Sequence, residues 1–366
     1  MTRQNILTTS QRSVRLSLNN LKIIMEAIKS TFKLYNRNHR GRSCSTQSQD
    51  GKVVENPKAA RIKLQNDLFN AERLRQEKNV GRIEKITVQY KGQPKDLDLV
   101  MNKNLSTPYN CAQHMFEMLV RRSALALVDG EKLWDMHRPL EDNCELQLLH
   151  FQDDNPAPVN KAFWRTCSLM LGAVVSSAFK DTIEVILHSF PRPNVRSGSF
   201  VYDVEIPSLS SWTPSEKELR VLSAEMVKLS SKNYPLERLA VDEEIASRIF
   251  QHNKYKLEQI PAMVEQSPDK SVILYRIGEH IDISRGPVVG NVNFLGRCTI
   301  TAAHKLKHDS KNFYRFQGVS LPKGIMLNHF AYSVLESRAQ KLNKGLLPWQ
   351  YEDVFQPELQ SIEATS

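Results

Sequence analysis

The chain has 366 residues, 40% apolar and 25% charged, an ordinary globular composition with length for two or three cores. No apolar run approaches the ~18 residues that mark a membrane-spanning helix. The net charge of +10 suggests nucleic acid, but residues 1–49 hold nine Lys or Arg against one acid, Glu26, so the 50 basic and 40 acidic residues leave 41 and 39 for the rest; that near-neutral body excludes an RNA argument from total charge alone.

The first 49 residues are rich in Arg, Ser, Thr and Asn and carry a helical apolar segment, Leu21-Lys-Ile-Ile-Met-Glu-Ala-Ile-Lys29. That composition predicts a mitochondrial transit peptide; a basic arm that touches RNA is the other reading. Asn56-Pro57 then offers an N-cap with proline at the first helical position. A helix to about Lys78 is expected, with Ala60, Leu64, Leu68 and Ala71 inward. Its other faces carry Lys58, Arg61, Lys63, Arg73, Arg75 and Lys78 among acids. Such a run is usually a solvated face, but these six are the candidate RNA contacts.

Ile86, Val88 and Tyr90, then Leu97, Leu99 and Met101, alternate as strands. Thr107-Pro108 should cap a helix through about Arg122. Ala124–Val128 is a strand ending in the turn pair Asp129-Gly130, and Glu145–Leu149 is another. Short strands around one helix predict a β-grasp-like sheet. Asp153-Asp-Asn-Pro-Ala-Pro158 reads as a linker.

Beyond it, Trp164, Cys167, Leu171, Val174 and Ala178 form the stripe of an amphipathic helix. Phe200–Ile206 is a strand. Thr213-Pro-Ser-Glu216 reads as a capping box heading a helix with Leu219, Leu222, Met226 and Leu229 inward. Val272 to Leu306 is mostly strands, a helix runs from about Asn328 to Leu342, and the end of the chain reads as a tail. Cys44, Cys111, Cys144, Cys167 and Cys298 lack any C-x-x-C spacing and read as reduced thiols, most of them core fillers. No phosphate-binding glycine motif, H-E-x-x-H or G-x-S-x-G occurs. His304 and His308 have metal-ligand spacing, but on a strand they would lie about 13 Å apart, so no metal is expected.

The order of these parts resembles the N-terminal region of threonyl-tRNA synthetases. The resemblance rests on Ala126-Leu-Val-Asp-Gly130, Asp142–Leu148, Trp164–Phe179 and Ser197-Gly-Ser-Phe-Val-Tyr-Asp-Val204. Glu279-His-Ile-Asp-Ile-Ser-Arg-Gly-Pro287 and Asp309-Ser-Lys-Asn-Phe-Tyr-Arg-Phe-Gln-Gly318 complete it. It implies an α+β chain: a β-grasp TGS module followed by a domain like the synthetases' second additional domain, which edits mischarged tRNA, with flanking helices. The implied divisions are 1–49 transit peptide, 50–82 helical extension, 83–152 TGS-like, 160–342 editing-like and 343–366 tail.

The family's editing site uses H-x-x-x-H and C-x-x-x-H. Laid on this chain, those positions fall on Arg165 and Leu169, then Ser284 and Val288. Arginine stays protonated, leucine and valine have no lone pair, and a serine hydroxyl is a poor thiolate. The frame of a site is therefore expected without its chemistry, and without catalytic residues, metal or cofactor. The resemblance leaves no room after residue 340 for an ATP-binding core or an anticodon-binding domain, so aminoacylation is not expected either.

With the basic leader, these features resemble a family of mitochondrial large-ribosomal-subunit proteins related to the synthetase. Val100–Thr107, Phe250–Lys256 and Phe316–Pro322 carry that narrower likeness. It implies a structural component that meets mitochondrial large-subunit ribosomal RNA and other mitochondrial ribosomal proteins, with no membrane span and no small-molecule substrate. The alternatives are a free-standing RNA-binding regulator and a trans-editing tRNA deacylase.

Overall fold

The computed structural model describes residues 57–353 except Asp309. The expected transit peptide, Asn56, Cys44 and residues 354–366 lie outside the described residues. Contacts divide the chain into Met1–Ala59 and Ala60–Ser366, and the packing below belongs to the second unit. The architecture is α+β.

Helix α1 (Pro57–Asn79) buries a different face from the expected one. Leu64 and Ala71 are exposed, whereas Phe69 and Glu72 are buried. Polar groups decide the orientation. Gln65, Asn66 and Gln76 donate to the carbonyls of Ile249, Glu279 and Ala240 at 2.9, 2.8 and 2.7 Å. Phe69 enters a core of Leu239, Ile249, Leu274 and Ile281, with the Arg276 guanidinium 4.4 Å from its ring. These hydrogen bonds and Phe69 set the helix face, and of the expected inward residues Leu68 packs against the same core.

The β-grasp comprises β1 (Lys85–Tyr90), β2 (Leu97–Asn102), β3 (Leu125–Val128), β4 (Lys132–Trp134) and β5 (Cys144–Leu149), in sheet order β2-β1-β5-β3-β4 with β1 and β5 parallel. Ile86, Val88 and Tyr90 alternate inward. The expected single helix is two, α2 (Pro108–Met115) and α3 (Glu117–Arg122), broken at an extended Phe116. The break lets Leu119 pack on Tyr90 and Ala112. Asp129 and Gly130 both take positive φ in the β3–β4 turn.

Helix α4 (Ala157–Ala178) begins inside the expected linker and is buried nearly all round, although Ala178 is exposed. It lies in the main core with the sheet of β6 (Ile186–Ser189), β7 (Phe200–Glu205), β11 (Leu295–Lys305) and β12 (Phe313–Pro322), ordered β11-β12-β7-β6. Gly172 on α4 leaves room for Tyr202; a Cβ there would lie 2.6 Å from the ring. Helix α5 (Glu216–Ser231) does carry a capping box, two residues later than expected: Ser215 with Glu218. The sheet of β8 (Glu237–Val241), β9 (Val272–Ile277) and β10 (His280–Ile283) packs with α6 (Glu243–Ile249), α7 (Lys254–Gln266) and α1.

Helix α8 (His329–Ala339) is capped by Asn328. Residues from 343 to 349 are not a loose tail. Fully buried Arg315 pairs with Asp203 and donates to the carbonyls of Asn343, Gly345 and Leu346, while Leu347 and Trp349 pack beside Phe313.

Candidate functional site: the frame between α4 and the loop after β10

Arg165 and Leu169 lie one turn apart on α4. Leu169 is buried in the main core, as is Val288. Arg165 Nη1 donates to the Pro287 carbonyl at 2.8 Å, and Thr166 Oγ1 accepts from Val289 N at 3.0 Å. Ser284 is buried and tied to its own surroundings: its N–H reaches Ile273 O at 3.1 Å and its Oγ accepts from Gly286 N at 3.4 Å. The structure thus brings α4 against the 284–289 loop and joins Arg165 to it by a direct hydrogen bond. Gly286 has a φ of +69°, and a Cβ there would strike the Tyr275 hydroxyl.

The TGS module closes over this loop. Asp135, just after β4, accepts from Val288 N at 2.8 Å and from Tyr275 Oη at 2.9 Å, with Arg238 Nε 3.7 Å away. Burial raises the Asp135 carboxyl above its ordinary value despite these partners. His137 Nε2 meets Gly290 O at 2.9 Å, and Gly290 N donates to Ala124 O. Sequence reading missed Asp135. Its one local signal is an acid between Trp134 and Met136, both buried.

A second polar cluster lies two residues before Ser284. Lys256 Nζ is 2.5 Å from Asp282 Oδ1, and Tyr202 Oη donates to Asp282 Oδ2 at 2.6 Å. Lys256 and Asp282 are both almost fully buried. His188 stacks on Tyr255 with centroids 4.6 Å apart. Its pKa is pushed down to about 3 by burial, then by Lys256 and Lys311. Burial also lowers His280, whose Nε2 lacks a hydrogen-bond partner. Sequence reading missed Lys256, Asp282 and Tyr202 as well; the available hint was Asp282 between Ile281 and Ile283.

Chemically, the frame positions supply no imidazole pair and no thiolate, and among the described residues no base hydrogen-bonds the Ser284 hydroxyl, whose bond is from Gly286 N. Burial raises the thiols of Cys111, Cys167 and Cys298, all buried and unpaired, and that of half-buried Cys144, leaving them poor nucleophiles. His304 lies on β11 and bonds Gln340 O, whereas His308 lies beyond the strand against Trp349. Among the described residues no group of three or more His, Cys, Asp or Glu could hold a metal ion, and no helix is long and apolar enough to cross a membrane.

The six α1 cations divide. Arg73 pairs with Glu237 at 2.8 Å and Arg75 with Glu72 at 2.7 Å. Lys63 and Lys78 are exposed, and Lys58 and Arg61 are half-buried.

Comparison with known proteins gives the following. A TGS domain matches residues 85–150. A probable cytoplasmic threonine–tRNA ligase of Dictyostelium discoideum is 30% identical over 60% of this chain but 29% of its own length. The ligase of Thermotoga petrophila is 32% identical over 47% of this chain and 24% of its own length. The large ribosomal subunit protein mL39 of Drosophila melanogaster is 53% identical over 292 residues, 79% of this chain and 87% of that protein. With that identity sustained over nearly the whole relative, against a quarter to a third of each ligase, the chain belongs to the family of the large ribosomal subunit protein mL39.

Proposed function

We propose that the chain is a non-catalytic structural component of the mitochondrial large ribosomal subunit, held by the large-subunit ribosomal RNA and neighbouring ribosomal proteins. The carrying observation is the 53% identity over 87% of the fly ribosomal protein. The frame supports it: Leu169 and Val288 are core residues and Arg165 holds a loop carbonyl, so the positions that could activate water now fasten the fold. In this reading residues 1–49 are the transit peptide and 50–82 the helical extension. The TGS-like module spans 83–152, the editing-like domain 160–342, and the C-terminal segment 343–366. The RNA contact falls on α1, at Lys58, Arg61, Lys63, Arg73, Arg75 and Lys78, of which Arg73 and Arg75 also pair with carboxylates.

Gradient sedimentation of mitochondrial lysate tests the assignment. Contacts to both RNA and protein should keep the chain on the large subunit through several hundred millimolar monovalent salt. Binding through 6–10 phosphate contacts alone weakens by about 10³–10⁵ between 50 and 200 mM. Release at moderate salt from intact subunits would instead indicate a peripheral RNA-binding regulator. Replacing Lys58, Arg61, Lys63 and Lys78 by Gln should loosen the association; an unchanged profile would move the RNA contact off α1.

A further inference from the structure

Helix α8 is apolar on two faces, and only one is used. Inward, Tyr332 and Ala339 are buried and Leu335 packs beside them against Val319 and Leu321. Thr299 Oγ1 donates to Glu336 at 2.7 Å and Thr301 Oγ1 to Ala339 O at 2.7 Å, so that face is fixed to the sheet. Outward, Phe330 is 78% exposed and Val334 53%. In the segment before the cap, Leu327 is 41% exposed and Met326 91% exposed. On the helix itself, Phe330 and Val334 follow the i, i+4 spacing by which a helix anchors in another protein's groove. A helix apolar on both sides is normally covered on both, and a contiguous exposed apolar patch marks an interaction surface.

The surrounding charges say what covers it. Arg338 continues the Phe330–Val334 line one turn later, and Lys341 follows the helix. Lys323 precedes Met326, and Arg297 lies over the Tyr332 ring at 3.7 Å. Arg338 donates to the Arg196 carbonyl, none of the four is in a salt bridge among the described residues, and the helix's one acid, Glu336, is turned to Thr299. A second copy would bring cations against cations, which is unfavourable. RNA would suit the cations, but Met326, Leu327 and Val334 offer no flat face for a base, leaving Phe330 alone to stack.

We propose that the outer face of α8, with Met326 and Leu327, is the docking surface for another protein of the large subunit. That protein presents an apolar groove edged by Asp or Glu. The proposal rests on the assignment of the chain to that subunit.

The test places a photoreactive benzoyl-phenylalanine at position 330 of the full chain, irradiates assembled large subunits and reads the adduct by mass spectrometry. The expected adduct lies on a different ribosomal protein, in an apolar segment flanked by acids. An adduct on ribosomal RNA, one on a second copy, or none in subunits that contain the chain overturns the proposal. In parallel, Phe330→Ser with Val334→Ser should lower occupancy of the subunit about tenfold, as loss of a hot-spot anchor does, while the purified variant melts like the parent because the inner face is intact. Undiminished occupancy overturns the surface alone. Failure of the unsubstituted chain to sediment with the subunit removes the component assignment and the surface together.

Discussion

The two clusters around β10 are built differently, although Asp282 and Ser284 are two residues apart. At the frame positions Arg165, Leu169, Ser284 and Val288, side chains now pack or hold the backbone: Leu169 and Val288 are core, and Arg165 grips Pro287. At Lys256, Asp282 and Tyr202, a charged network persists in the interior with each charge answered. Groups needed only for reactivity can be replaced singly by core residues. A buried ion pair cannot lose one member cheaply, because the other charge is stranded.

Lys256→Met should give the largest effect, since it leaves the Asp282 carboxylate with the Tyr202 hydroxyl but no cation. Removing one partner of a buried pair costs about 3–5 kcal/mol, readable as a lower urea midpoint. Adding Asp282→Leu should recover most of that loss. A double variant as unstable as the single one would mean the cluster does more than balance its own charges.

How far each region was legible follows from the range of its contacts. Alternation revealed the β-grasp strands, because Ile86, Val88 and Tyr90 share a face whatever lies across from them. The spacing that resembles the synthetase motif singled out Arg165, Leu169, Ser284 and Val288, and the structure brings their two segments into contact through Arg165 and Pro287. Contacts distant in sequence stayed hidden: Asp135 meets Val288 N across 153 positions, and Gln76 meets Ala240 O across 164. The latter kind also turned α1 to an unexpected face. The capping box shifted by two because Thr213 and Ser215 are each followed three residues later by a glutamate, Glu216 and Glu218, and serine is the stronger cap.

Gly286→Ala probes the spent side. It forces a side chain into a left-handed conformation and against the Tyr275 hydroxyl, at a cost of about 2–3 kcal/mol. Coupled with Tyr275→Phe, which removes the obstructing oxygen, the double variant should be more stable than the summed single effects by about 1 kcal/mol. Strict additivity would mean the loop relieves the collision by moving.

His188 reports on the preserved side through pH. Its folded pKa of about 3 lies below an unfolded value near 6.5. Its stabilising contribution is therefore full above pH ~6.5 and lost as pH falls toward 3. Between pH 7 and 5 this amounts to about 2 kcal/mol. Asp135, raised by burial, works in the opposite sense: its contribution is present at low pH and lost as pH rises through its folded value. Comparing wild type with His188→Phe isolates the histidine, because Asp135 is common to both. The variant should gain about 2 kcal/mol on wild type from pH 7 to 5; parallel stability curves would mean His188 takes up its proton without unfolding.

The smallest effect is expected at Ser284. Its Oγ accepts one long bond from Gly286 N and contacts no base, so truncation deletes little. Ser284→Ala should change stability by less than about 1 kcal/mol. It should also leave the release of amino acid from seryl- or threonyl-tRNA at the protein-free background, where the parent should already stand. This result separates two kinds of silence. If the parent releases amino acid and Ser284→Ala abolishes it, the hydroxyl has become the attacking group and the frame is live. If release survives the substitution, a different site is at work. If both proteins stay at background while the alanine variant still sediments with the large subunit, Ser284 fills space where the synthetase motif carries a thiol, and the loop is kept for its contacts with α4 and Asp135.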